Sequence, residues 1–322
     1  MVELEVAERL AIDDVVAVIT ERDLLVVNGP DAASYLHGQI SQNAEGLAVG
    51  NTVWTLLLQP QGKVEAWLRM HRRSAEEFWL DVESGFGEQA KARLERFKLR
   101  VDADIHLVTT SMVALRGPRA ATVAAEQAAV ASGEPLVALD ASWASVTGVD
   151  LVDPSGVLAD ADRAGEATVQ TWVPDGVTVG PAETLEVLRI RQGRPAMGSE
   201  LDDSTIPAAA GVVERSVDFT KGCYVGQELV ARIDSRGNNT PTRLYGLRFS
   251  GPELPAVGSE LSLDGAAAGT VTSVAVSPDL GSIGLAYLKR AVEVPASLTA
   301  TSANGSPLTV EAIALPNSAQ AD

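Results

Sequence analysis

The sequence predicts an α+β fold in two parts: a mixed N-terminal region, residues 1–240, and a small antiparallel β-barrel, residues 241–318. Two observations lead to this division. Strand and helix patterns alternate irregularly as far as about residue 240. Beyond Pro241, short apolar runs separated by Gly, Pro, Asp and Ser follow one another at regular spacing, which is typical of a small barrel.

In the N-terminal region, a hairpin is the clearest strand prediction. Two apolar runs, residues 52–58 and 64–71, flank the turn sequence PQGK. The other strands are predicted at residues 24–27, 78–82 and 104–109, and helices at residues 32–37, 87–99, 117–133 and 184–190. In the second of these helices Ala90, Leu94 and Phe97 fall on one face. The barrel strands are predicted at residues 244–249, 260–263, 270–276, 283–287 and 308–313.

Composition excludes several classes of function. The net charge of −18 disfavours nucleic acid and anionic membrane as main partners. The single cysteine, Cys223, excludes an internal disulfide and a cluster or zinc site held by several cysteines of one chain. The three histidines have no metal-ligand spacing, so we predict no metal site. The sequence has neither a secretory signal nor an apolar run long enough for a membrane span, which predicts a cytoplasmic protein.

The segment KGCYVGQE, residues 221–228, concentrates the most chemistry. Lys221 and Cys223 are two residues apart, so both side chains share a face of an extended chain. The ammonium group could therefore favour the thiolate, or bind an anion beside it. The alternative is a tight turn in which Cys223 is a small buried filler.

This segment resembles the signature K-G-C-[FY]-x-G-Q-E of the YgfZ family. The resemblance extends along the chain through LRIRQGRP (residues 188–195), the opening GPDA…YLHGQ (residues 29–39), the PQGK turn and GTVTS (residues 269–273). It implies two α+β subdomains within residues 1–240 that surround a folate cavity, followed by the barrel. It also implies a tetrahydrofolate-binding accessory protein that supports assembly or repair of iron–sulfur enzymes. The implied protein partners are iron–sulfur client or assembly proteins.

The resemblance also assigns the candidate site residues. Cys223 matches the family's functional cysteine, with Lys221 tuning its thiol. Gln227 and Glu228 are expected to fix the loop by hydrogen bonding, and Arg232 to anchor it or receive an anion. The candidates for folate binding are Glu65, Glu186, Arg191, Tyr224, Gln227, Glu228 and Arg232.

Two departures separate the chain from the related glycine-cleavage T-protein. That protein has an Asp-Asp pair where Glu65 and Ala66 stand here, and a Glu where Arg191 stands. An Arg accepts no hydrogen bonds from a pterin amide edge. Both departures argue against glycine cleavage, and Glu186 is the candidate substitute for the missing acid. Three hypotheses remain: the accessory protein, a folate-dependent aminomethyl or one-carbon transferase that uses Glu65, and a scaffold with an inert Cys223.

Overall fold

The computed structural model describes residues 2–130, 136–154, 171–302 and 304–316, with the backbone alone for 128–130. The N-terminal strands form one mixed sheet in the order β2-β3-β4-β1-β5-β7-β6, and β8 pairs in parallel with β1. These strands are β1 (Val16–Asn28), β2 (Thr52–Leu58), β3 (Val64–Arg72), β4 (Glu77–Glu83), β5 (Asp104–Arg116), β6 (Val137–Asp140), β7 (Gly148–Val152) and β8 (Thr178–Val179).

The described helices lie on the sheet or link it to the barrel. They are α1 (Leu4–Asp13), α2 (Ala32–Gln39), α3 (Gly87–Phe97), α4 (Ala120–Val130), α5 (Glu183–Arg191), α6 (Val213–Ser216) and α7 (Gln227–Asp234), with a 3₁₀ turn at Pro207–Ala210. Helix α3 buries Ala90 and Leu94, as its apolar face predicts, while Phe97 stays partly exposed. Its start is fixed by Asp23, whose carboxylate accepts hydrogen bonds from the backbone N–H groups of Gly85 and Gly87.

The sheet curves until its two outer strands approach each other. Across the gap, Cα atoms of strand β2 lie within 8 Å of Cα atoms of strand β6. Three indole rings lie between these edges: Trp54 stacks on Trp67 with ring centroids 4.1 Å apart, and Trp143 meets both edge-on. The curved sheet therefore has a concave interior, and a cavity lies in this interior.

The C-terminal strands close into a six-stranded antiparallel barrel in the order β10-β11-β12-β9-β14-β13. They are β9 (Thr242–Phe249), β10 (Glu260–Leu263), β11 (Ala266–Ser277), β12 (Gly281–Lys289), β13 (Ala296–Thr301) and β14 (Pro307–Ile313). Sequence patterns miss β13, because Leu298 is its only large apolar residue. The predicted α+β class with a C-terminal barrel is confirmed. The boundaries at 240 and 318 and the two-subdomain division stay predictions.

Ion pairs and hydrogen bonds join the barrel to the N-terminal region. Glu8 of α1 is buried and accepts hydrogen bonds from Arg191 of α5 and from Ser277 of β11. Arg189 of α5 bridges to the Glu200 carboxylate at 2.7 Å and to the Ser273 hydroxyl of β11 at 2.7 Å. Helix α5 is thus the element through which the two parts are held in register. Within the described ranges, no helix combines the length and apolar character of a membrane span.

Acid should destabilise the fold through His71 of β3. Burial, followed by the charge of Arg73, lowers the pKa of this side chain to about 4. The unfolded chain therefore binds more protons between pH 4 and about 6.5, and stability is lost as pH falls through that window. Replacing His71 with Gln should flatten the pH dependence of the unfolding free energy by up to ~1.4 kcal/mol per pH unit. Urea unfolding across this range measures the slope. His106→Gln, on an exposed position of β5, is the control and should keep the wild-type slope.

Candidate functional site

A cavity of about 250 Å³ occupies the concave side of the sheet, between the strands and helix α5. Charged residues that interrupt apolar strands point into it: Arg22 of β1, Arg69 of β3, Arg116 of β5 and Asp150 of β7. Helix α5 and the segment after it close the opposite wall. Each of these four strands contributes one charged side chain to the cavity. Pairing of the strands in the sheet therefore brings together residues that are distant in sequence.

Arginines and aspartates alternate along one side of this cavity. Asp81 lies 2.8 Å from Arg22 and 2.6 Å from Arg69, and Asp150 lies 2.7 Å from both Arg69 and Arg116. Burial acts to raise the pKa of Asp150, but the guanidinium groups of Arg116 and Arg69 outweigh it and hold that pKa well below its usual range. These charges compensate one another, so the network is a rigid wall rather than a set of free ligand-binding groups.

Other polar atoms in the cavity are less well compensated. Neither carboxylate oxygen of Glu83 accepts a hydrogen bond from any described residue, and its ion pairs with Arg22 and Arg194 are long, at 3.4 Å and 3.9 Å. The indole N–H of Trp54 and the amide nitrogen of Gln192 are also buried without a partner in the described chain. Buried polar groups are normally hydrogen-bonded, so an acceptor and two donors are left for a ligand.

Arg194 adds an under-compensated cation to the cavity. Burial lowers the pKa of its guanidinium to about 10, and the nearest carboxylate, Glu83, only partly opposes that effect. The side chain keeps 21% of its surface exposed. Its long contact with Glu83, at 3.9 Å, leaves the charge only partly compensated.

The KGCYVGQE loop lies outside this cavity, and none of residues 221–228 lines it. The ammonium group of Lys221 donates to three backbone carbonyls at the end of α2, those of His37, Ile40 (2.7 Å) and Gln42 (3.0 Å). Burial lowers the pKa of Lys221 to about 8. The amine thereby ties the loop to α2, and the structure shows no contact between it and the thiol of Cys223, which is exposed.

Two glycine contacts fix the other end of the loop. Gly226 has a φ of +86°, and its Cα packs on the PQGK turn so closely that an added Cβ would lie 2.5 Å from the Gln59 carbonyl oxygen. Gly62 of that turn is equally close to Leu229. The Gln227 side chain accepts a hydrogen bond from the Tyr224 backbone N–H. Three segments that the sequence singles out, the opening motif, the PQGK turn and the cysteine loop, therefore meet at one place.

Replacing Gly226 with Ala should destabilise the protein by about 3 kcal/mol, since left-handed strain and a backbone clash add together. Gly237→Ala is the matched control: its φ is +71°, but an added Cβ would meet nothing within 4 Å. That change should cost only about 1–2 kcal/mol. Urea unfolding of both variants separates clash from strain, and equal losses would contradict the close packing of loop and turn.

The remaining predicted site residues are dispersed. Glu186 lines the cavity, but its carboxylate is engaged by Arg189. Glu65 lines a separate open groove. Arg191 pairs with Glu8 and with Asp279 of the barrel and does not line the cavity. Glu228 and Arg232 are exposed on α7, with Tyr224 half-buried before it.

Sequence reasoning missed the residues that build the cavity wall. Arg22, Arg69, Asp81, Glu83 and Asp150 are absent from the candidate list. A usable signal existed, because a charge inside an apolar strand, as in AWLRM or FWLDV, is unusual unless it is paired in the interior. Within the described residues, no three His, Cys, Asp or Glu side chains form a group suited to a metal ion.

Comparisons with known proteins agree with this architecture. Residues 7–152 match the GCVT N-terminal domain, and residues 242–315 match the CAF17 C-terminal beta-barrel domain. The tRNA-modifying protein YgfZ of Edwardsiella ictaluri is 32% identical over 250 residues, covering 74% of this chain and 72% of that protein. The chain belongs to the YgfZ family.

Two further similarities place this YgfZ-family chain among its relatives. The Neurospora crassa protein named iron-sulfur cluster assembly factor IBA57 homolog, mitochondrial, is 27% identical over 262 residues, 74% of this chain and 56% of that protein. The crystal structure of glycine cleavage system aminomethyltransferase T from Bartonella henselae superposes with a TM-score of 0.79 at 19% identity, covering 98% of this chain and 89% of that one. This last similarity establishes a shared fold.

Proposed function

We propose that this YgfZ-family protein binds tetrahydrofolate in the central cavity and supports the assembly or repair of iron–sulfur enzymes through the exposed cysteine loop. The observation that carries the folate assignment is Glu83, a largely buried carboxylate with no hydrogen bond from any described residue. Membership of the family supports the wider role, as does the name of the Neurospora crassa relative.

The unpaired groups suit the pterin ring of a folate. A pterin presents two N–H donors beside one carbonyl acceptor on its amide edge, and a carboxylate such as Glu83 accepts from adjacent donors. Gln192 or Trp54 supplies an N–H for the carbonyl oxygen. When bound, folate supplies a carrier for one-carbon groups; the chain's own residues orient it and exclude water.

The size of the cavity limits how much of a folate it encloses. Its volume of about 250 Å³ is slightly below the ~300–1,000 Å³ usual for small-molecule sites. We infer that the ring end enters and that the glutamate end stays at the opening. Trp54 and Trp143 line the cavity, so a bound ring lies near two of the five tryptophans of the chain.

Cys223 supports the accessory role because its sulfur is reachable by another protein while its loop is held rigid. A single thiol can be a transient ligand for a cluster shared with a partner. The net charge of −18 disfavours nucleic acid as that partner. A cytoplasmic location remains part of the proposal.

The transferase alternative is less well supported by the site. It needs a carboxylate at the folate cavity, and its candidate, Glu65, lies in the separate groove beside the PQGK turn. In the scaffold alternative, Cys223 would be inert. Substitutions at Cys223 and Glu65 therefore distinguish the three hypotheses.

Titration with tetrahydrofolate and its 5-formyl form, followed by tryptophan fluorescence, tests the ligand. We expect a saturable change, with the same affinity in Cys223→Ser because the thiol lies outside the cavity. In cells that lack the protein, Cys223→Ser should fail to restore iron–sulfur enzyme activity, whereas Glu65→Gln should restore it. No saturable change with either folate would refute folate binding. Loss of folate-dependent amine turnover in Glu65→Gln would favour the transferase.

A further inference from the structure

A second site lies on the outer face of the N-terminal region, in an open groove of about 600 Å³ between the PQGK turn and helix α3. We propose that this groove binds a small organic anion, a carboxylate carried on an apolar body. Its walls include Gln59, Glu65, Gln89, Arg93, Arg96 and Phe97. None of its lining residues lines the central cavity, so the two sites are separate.

Arg93, in the wall of the groove, is a buried cation without a paired anion. Only 6% of the residue is exposed, and no carboxylate of a described residue lies within ion-pairing distance of it. Its guanidinium donates to two neutral oxygens, the Gln39 amide at 3.2 Å and the Leu58 carbonyl at 3.0 Å. Its Nε–H is buried and has no partner in the described chain. Buried charges are normally paired, so this one lacks its counter-ion.

Other charges around Arg93 strengthen the need for an anion. Burial lowers the pKa of Arg93; Glu65 acts against that effect, and the like charge of Arg96 adds to it. Arg96 is exposed and forms no ion pair with a described residue. The groove therefore presents two arginines against one carboxylate, on a protein whose overall charge is strongly negative.

The size and the apolar part of the groove argue for an organic ligand rather than an inorganic ion. A volume of about 600 Å³ lies within the ~300–1,000 Å³ range of metabolite sites. Phe97 is 37% exposed and stacks under the Arg93 guanidinium, whose Cζ lies 4.1 Å from the ring centroid. An anion at the arginines would thus place its apolar body along Phe97, Pro60 and Ala92.

Saturation-transfer NMR with benzoate as the probe tests this site. Benzamide is the neutral analogue, and inorganic phosphate, an anion without an apolar body, is measured by its displacement of benzoate because it has no carbon-bound protons. We expect saturable binding of benzoate that is tighter than that of either analogue. Arg93→Met should weaken it by roughly tenfold or more, and Arg96→Gln, at an exposed position, by roughly threefold. Arg248→Gln, an exposed barrel position with the same charge change, should leave it unchanged.

Several results would overturn the proposal. Equal affinity for benzamide or phosphate would show that the site does not select an organic anion. Unchanged benzoate affinity in both arginine variants would show that benzoate does not bind in this groove. If Arg93→Met does not fold, Arg96→Gln measured against Arg248→Gln decides the question. Saturating tetrahydrofolate should not displace benzoate; displacement would make the groove part of the folate site. This readout is independent of iron–sulfur enzyme activity, so the two proposals can fail separately.

Discussion

Replacing Asp81 with Ala should lower the free energy of unfolding by about 3–5 kcal/mol. The Asp81 side chain is 1% exposed and accepts from Arg22 and Arg69, both of which are largely buried. Removal of the carboxylate leaves two guanidinium groups in the interior with too few anions. Because the pairs are buried, added salt should restore little of the loss.

Asp104→Ala is the matched control for that measurement. Asp104 also pairs with a basic residue, Lys98, but its side chain is 81% exposed and the separation is 3.6 Å. Exposed pairs contribute about 0–1 kcal/mol, so this variant should unfold at nearly the wild-type urea concentration. A loss below about 1 kcal/mol for Asp81→Ala would show that the buried network is not needed for stability.

Glu83→Gln should weaken tetrahydrofolate binding by about a hundredfold. The change keeps the shape of the side chain but removes its charge and one of its two acceptor oxygens. Each charge-assisted hydrogen bond contributes about 1.5–3 kcal/mol, and 1.4 kcal/mol is a tenfold change in affinity. Fluorescence titration of the variant measures the effect, and its melting temperature checks that the fold is intact.

Glu186→Gln distinguishes the two glutamates that line the cavity. Glu186 is the acid that sequence comparison offers as the folate contact, but Arg189 already occupies both of its oxygens. We therefore expect only a small loss of affinity. A larger loss in Glu186→Gln than in Glu83→Gln would move the pterin contact from the end of β4 to helix α5 and would contradict the role given to Glu83.

The fold was largely readable from the sequence because its signals are local. The PQGK turn between two apolar runs defines the β2–β3 hairpin, and five of the six barrel strands follow from short runs between turn residues. Strand β13 was missed because it is built mainly from Ala, Ser and Thr. Strands β6 and β7 and helix α1 had no prediction of their own.

The candidate site was less predictable because its geometry depends on contacts between distant residues. The KGCYVGQE loop predicts that Lys221 lies on the same face as Cys223. The direction of Lys221, however, is set by carbonyls 179 or more positions away, at the end of α2. In the same way, Glu83 is left without a hydrogen bond from any described residue because Arg22 donates to Asp81 and comes only within 3.4 Å of Glu83. No spacing in the sequence encodes that choice.

The curvature of the N-terminal sheet restricts how another chain can bind. In the described structure, the barrel closes on itself, and the outer strands β2 and β6 face each other across the tryptophan cluster, with Ile40 bridging to Leu57 of β2. The barrel therefore offers no open strand for β-augmentation, and the closeness of β2 and β6 leaves little room for an added strand between the edges of the N-terminal sheet. We therefore expect any protein partner to be recognised mainly by side chains on helices and loops.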